Sequence, residues 1–156
     1  MKKLLMLFGC FLMLNACATA PVQEPVKMQV SINAKFDKVW NAAVKILTVQ
    51  KYSFKTIDKP SGVLQTEEQV YEGSDVRNRM DSYAKMPFVL FSVWTKMTTS
   101  YDILMLAESN GTTTILISAN VSGYDMHGKE WHKGTTNGTL ENMLLSSIKK
   151  ELGITD

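Results

Sequence analysis

Along most of the chain the apolar positions keep one of two periods. From Phe36 to Val49 they fall at Phe36, Trp40, Ala43, Val44 and Leu47, with Lys35, Asp37, Lys38, Asn41 and Lys45 between them. Steps of three and four residues gather one stripe on a helix, so the segment predicts an amphipathic helix with Trp40 as a core anchor. Leu140, Leu144, Ile148 and Leu152 repeat the pattern near the end of the chain. There Asn137 to Thr139 supply caps, Glu141 suits the first turn, Lys149 and Lys150 suit the last, and Gly153 ends the helix.

Elsewhere the period is two, the mark of a strand with one covered face. Val30 and Ile32 predict a first strand, and Asn33 after them is placed to cap the first helix. Tyr52 to Ile57 and Val63 to Tyr71 flank Asp58-Lys59-Pro60-Ser61-Gly62, a run of turn formers, and predict a hairpin. In its second arm Leu64, Thr66, Glu68 and Val70 share a face. Met97, Thr99, Tyr101, Ile103, Met105 and Ala107 alternate toward Asn110-Gly111, a tight-turn pair, and Thr113, Ile115, Ile117, Ala119 and Val121 return up to Gly123. Laid in order, these elements predict an α+β domain over residues 28–156. It is a mainly antiparallel sheet with two helices packed on one face.

Three segments fit neither period. Gly73 to Phe88 mixes Arg77, Arg79 and Asp81 with Val76, Met80, Tyr83 and Met86, and predicts a short helix or an ordered loop that Pro87 closes. Phe88-Val89-Leu90-Phe91-Ser92-Val93-Trp94 holds too many large residues in a row for a half-exposed strand. The first expectation is a buried strand or a core-filling loop; the alternative is an apolar surface for a partner protein, a lipid or the bilayer. Tyr124 to Gly138 is the most polar part, with Trp131 as its largest apolar residue and with both histidines, His127 and His132.

The start of the chain obeys a third pattern. Lys2 and Lys3 precede an apolar run from Leu4 to Leu14, which is shorter than the roughly 20 residues a spanning helix needs. Such a segment is a removable signal peptide rather than a membrane span. Its end, Leu14-Asn15-Ala16-Cys17, resembles the lipobox of bacterial lipoproteins. That resemblance implies cleavage after Ala16 and acylation of Cys17, with residues 1–16 lost and 17–27, which include Pro21 and Pro25, left as a tether. A cut before Cys10 would strand Phe11 to Leu14 on the mature chain, and one after Ala20 would face Pro21. Ala18, where an aspartate tends to retain such proteins at the inner membrane, implies an outer-membrane destination within the cell envelope.

Removing the signal changes the chemistry on offer. The chain has 17 basic and 15 acidic residues, and without Lys2 and Lys3 the counts are equal, so no basic bias favours nucleic acid or anionic headgroups. With Cys10 lost and Cys17 alkylated, the domain keeps no thiol for a disulfide or a metal. Asp125, His127, Glu130 and His132 are ligand-type residues at spacings that match no metal motif, and Glu67 and Glu68 point to opposite faces of a strand. Neither Ser61-Gly62 nor Ser122-Gly123 lies in a nucleophile elbow. The expectation is no catalytic residue, no metal, and no cofactor beyond the covalent lipid.

The first helix, Tyr52-Ser53-Phe54 and the stretch from Asp58 to Glu67 together resemble a helix-grip domain of the BamC type found in outer-membrane assembly lipoproteins. The resemblance implies that fold and an accessory role in the envelope; it transfers no functional residue, and this chain has room for one such domain where BamC carries two. The resulting expectation is a non-catalytic, lipid-anchored interaction module with an envelope protein partner. Its contact surface is placed at Met86, Phe88, Phe91, Trp94 and Met97. The alternative is a carrier that holds a lipid or other apolar ligand between sheet and helix, lined by Met97, Tyr101 and Met105 beside Phe91 and Trp94.

Overall fold

The computed structural model describes residues 26–154; the signal segment, Cys17 and most of the tether lie outside them. The strands are β1 (Met28–Ile32), β2 (Phe54–Asp58), β3 (Val63–Thr66), β4 (Gln69–Glu72), β5 (Ala84–Lys85), β6 (Trp94–Ala107), β7 (Thr113–Asp125), β8 (Glu130–Lys133) and β9 (Thr135–Thr136). The helices are α1 (Phe36–Val49), α2 (Val76–Tyr83) and α3 (Thr139–Glu151). The main sheet runs β1-β7-β6-β3-β2, with β4 also paired to β6 and β8 to β7, and every recorded pairing is antiparallel. The fold is therefore α+β with a mainly antiparallel sheet.

The long β6–β7 hairpin is its spine. Tyr101 opposes Ala119, Ile103 opposes Ile117 and Met105 opposes Ile115, and all six are buried, as their alternation requires. On this face α1 lays Val39, Trp40, Ala43 and Leu47, and α3 lays Leu140, Leu144 and Ile148. Three helices rather than two cover the sheet, because α2 forms in the interrupted segment and buries Val76 and Met80 there.

Two bulges override the alternation read from the sequence. Gln65 opposes Asp102 whereas Gln69 opposes Thr99, so the arm from Val63 to Glu72 carries one residue more than β6 beside it. An extra residue reverses the faces of everything beyond it. Val70, placed by alternation on the face of Leu64 and Thr66, is exposed while those two are buried, and Tyr71 turns toward the core instead. A second bulge, between Trp94 and Lys96, brings Trp94 onto the inner face opposite Asp125.

The caps differ from expectation in the same local way. Asn33 does not cap α1, whose preceding residue is Lys35 and makes no side-chain bond. Asn137 does serve α3: its Oδ1 accepts the Thr139 N–H at 3.0 Å, while Gly138 takes the left-handed conformation before the helix. At the other end Gly153 N–H donates to Lys150 O and Ile154 N–H to Lys149 O, the paired closure that a left-handed glycine permits. Glu141 lies in the first turn of α3, as expected, and is fully buried there. Its Oε1 accepts the Ala119 N–H at 3.1 Å and the Thr136 hydroxyl at 3.0 Å. It fills a gap in the edge of β7, between the last β1 pair at Ile117 and the first β8 pair at Ser122.

Candidate functional site

The run from Phe88 to Trp94 does not fill the core. It is a loop between β5 and β6 on which Phe88 is 90% exposed, Leu90 67% and Phe91 80%, so the expectation of a buried strand is overturned. The expected surface residues separate accordingly. Phe88 and Phe91 stand in solvent, Met86 is half-buried, and Trp94 and Met97 belong to the core and cannot meet a partner. Trp94 is inside because of the bulge at Thr95, and Met97 because it opposes Gly123 on the helix-covered face. Val93 and Met126, both partly exposed, enlarge the patch.

The loop is anchored at both ends. Before it, β5 pairs with β9, and Met86 seats its thioether over two glycines. A Cβ on Gly123 would come within 3.1 Å of the Met86 methyl carbon and 2.5 Å of the Met80 sulfur, and one on Gly134 within 2.7 Å of the Met86 sulfur. Bare backbone at these two positions makes room for methionine, whose unbranched chain fills irregular gaps.

After the loop, the buried Asp125 carboxylate gathers backbone donors. Oδ1 accepts Val93 N–H at 2.8 Å and His127 N–H at 3.2 Å, and Oδ2 accepts Gly128 N–H at 2.9 Å. These bonds, that of Val93 foremost, hold the carboxyl below its ordinary range against the opposing effect of burial. Met126 N–H donates to Val93 O at 2.9 Å, and His127 Nδ1 lies 2.8 Å from Phe91 O. Phe91 itself sits at φ +59°, a left-handed conformation that few bulky residues adopt. The Ser92 N–H to Val89 O bond that spans it and the His127 contact on its carbonyl keep it there.

Asp125 and His127 were legible as polar residues but read as ligand types, whereas their work is to hold a loop more than thirty residues earlier in the chain. A short polar segment after a strand signals a turn and says nothing of which distant backbone it will meet. His132 lies edge-on to Trp94, with ring centroids 5.5 Å apart. Its Nε2 is 3.3 Å from Glu130 Oε1, within ion-pair range, but not aligned as a hydrogen bond. Among the described residues no three His, Cys, Asp or Glu side chains gather as a metal site would require.

Beneath the loop is an open groove of about 580 Å³ bordered by Arg77, Lys85, Phe88, Trp94 and Asn137. Arg77 is paired there with Asp81 at 2.9 Å. The residues of the carrier alternative, Met97, Tyr101 and Met105, are instead packed in the core. Tyr52 meets Tyr101 edge-on, and its hydroxyl lies 2.6 Å from that of Thr99. Desolvation pushes both phenols well above their ordinary range, so neither ionises near neutral pH. On the open face of the sheet Glu67 and Glu68 are exposed at the first bulge, beside a polar ladder in which Gln65 and Asn120 donate to Asp102.

No family model matches the chain. No curated protein matches it either. Among solved structures it is similar to the crystal structure of a DUF4468 family protein from Bacteroides ovatus, at 10% identity and a TM-score of 0.38, with 88% of this chain and 86% of that one covered. Nothing about the loop or its anchors follows from that likeness.

Proposed function

We propose that the chain is a membrane-anchored bacterial lipoprotein of the cell envelope, directed to the outer membrane, that acts without catalysis as an interaction or assembly accessory module. The anchor is the lipid on Cys17, supported by the order of Lys2-Lys3, the apolar run and Leu14-Asn15-Ala16-Cys17. No described helix is long and apolar enough to cross a membrane. The working surface is the loop Pro87–Val93.

One observation carries this reading: an uncharged loop shows three large apolar side chains to solvent while a buried carboxylate and a histidine hold its backbone in place. Exposed apolar residues that merely fail to find the core need no such anchors. A contiguous apolar patch held in one shape marks a contact surface.

The test is photo-crosslinking in native membranes, with a photoreactive residue at Phe91 and, as a control, at Asn110 at the far end of the hairpin. Adducts from position 91 and none from 110 are expected. Equal labelling at both sites, or none at either, would remove the loop as the working surface. The anchor is checked separately by metabolic labelling with a clickable fatty acid, which Cys17→Ser is expected to abolish.

A further inference from the structure

The loop lies close to where the tether leaves the domain. Val26, the first described residue, rests against Gly138, 3.8 Å from where a Cβ on that glycine would sit. The neighbouring residue Asn137 borders the groove beneath Phe88, and its N–H donates to Tyr83 O, just before β5. Residues 17–25 span at most about 30 Å when extended. A lipid on Cys17 therefore keeps this corner of the domain within about 30 Å of the bilayer surface.

From Met86 to Val93 there is no charged side chain, and Ser92 is the one polar residue. A protein interface of this size draws its register from polar groups around an apolar centre; a bilayer requires none. Lipid instead requires that backbone polar groups be satisfied within the protein. Five of the loop's backbone groups are, and the rest, those of Phe88 and Leu90 among them, confine the contact to the hydrated boundary of the bilayer. Ser92 N–H donates to Val89 O at 3.3 Å, Phe91 O meets His127, Val93 N–H meets Asp125 and Val93 O accepts Met126 N–H. Pro87, at the start of the loop, has no N–H to satisfy.

We propose that the loop Pro87–Val93 is a second membrane contact, through which Phe88, Leu90 and Phe91 enter the headgroup and acyl boundary of the bilayer that holds the Cys17 lipid. This rests on the reading of Cys17 as the anchor, and it names the partner of the surface assigned above. A loop this short reaches the interface and does not span. Acyl chains keep the domain on the membrane; the loop decides which side of it faces the membrane. Because the loop is uncharged and the mature chain has equal numbers of basic and acidic residues, the contact depends neither on anionic lipid nor on low salt.

The experiment uses the lipidated mature protein, from which Cys10 has left with the signal, in phosphatidylcholine vesicles, with an environment-sensitive fluorophore on Phe88→Cys and, separately, on Asn110→Cys. In the lipidated chain the Cys17 sulfur is alkylated, so the introduced cysteine is the labelled thiol. Acyl-brominated phosphatidylcholine is expected to quench most of the emission from position 88 and none from position 110, in low and high salt alike. Phe91→Asn, which preserves a left-handed backbone while removing the ring, is expected to weaken the quenching at 88.

Flotation with the vesicles reports the anchor independently. Flotation without quenching at 88 overturns the loop contact and leaves the anchor standing. Failure to float overturns the anchor and the proposal that rests on it. A discrete protein adduct from Phe91 in native membranes, combined with an unquenched label, assigns the surface to a protein partner and also overturns the proposal.

Discussion

The two ends of the β6–β7 hairpin close in opposite ways. At one end Glu108 to Thr112 form a tight polar turn. Gly111 is left-handed, and Asn110 Oδ1 accepts both the N–H and the hydroxyl of Thr112 two residues on. At the other end the apolar loop has one local bond, Ser92 N–H to Val89 O, and Asp125 and His127 reach across more than thirty positions to hold it. The first end needs only its own sequence and is the ordinary solution for a strand reversal in water. The second exposes apolar side chains and surrounds them with long-range bonds, more than a strand reversal in water needs. That contrast is why function is assigned to the second end.

The largest effect expected is at the polar end. Gly62, in the β2–β3 turn, donates its N–H to Lys59 O and accepts the Met105 N–H at 2.9 Å, and a Cβ there would lie 2.0 Å from Met105 O. Backbone meets backbone at this point, and φ is +73°. Gly62→Ala is expected to cost on the order of 3 kcal/mol or more in chemical denaturation. At the apolar end the equivalent close approach is to side chains. Gly123→Ala meets the Met80 sulfur and the Trp94 ring, and because methionine can shift the cost is smaller, about 1–3 kcal/mol. Equal losses at the two glycines would erase this part of the contrast.

Asp125→Ala comes next and sharpens it. The expected result is a freed loop, read as a fall in anisotropy of a fluorophore at position 88, with the hairpin intact. The same change is expected in the wild type on acidification. The folded carboxyl titrates below its ordinary 3.8, so the contribution of Asp125 is complete above that value and is lost as the pH falls through the lowered one. In Asp125→Ala this acid step is absent. An anisotropy that ignores both the substitution and the pH would mean that the loop is held by something other than this carboxylate.

The smallest effect belongs to Asn110→Ala, which removes two local bonds from an exposed turn. It is expected to lower stability by no more than about 1 kcal/mol and to leave the anisotropy at position 88 unchanged. A change at 88 would show that the two ends are coupled through the hairpin, and the comparison would fail.

Much of the fold was legible because its signals are local. The stripe on α1, the stripe on α3, the alternation of β6 and β7 and the glycine stop at Gly153 each depend on residues a few positions apart. What escaped was set by neighbours distant in the chain. The bulge at Glu67-Glu68 reverses Val70 and Tyr71 because β6 offers one residue fewer beside it. Glu141 is buried because β7 leaves an unpaired N–H at Ala119 where β1 stops. Of the five residues expected at the surface, Phe88 and Phe91 are there; Met86 is half-buried, and Trp94 and Met97 were taken inward by register.

By itself the sequence determined an α+β layout, its two longest helices, its long hairpin and a run of apolar residues with no strand or helix period. Whether that run would be core or surface was decided only by the tertiary structure. Burial depends on what lies opposite, and the inner face beside the loop is already filled by Met80, Met86 and Trp94 over Gly123. With no space left inside, and with Asp125 holding its backbone at the rim, the loop turns Phe88, Leu90 and Phe91 outward.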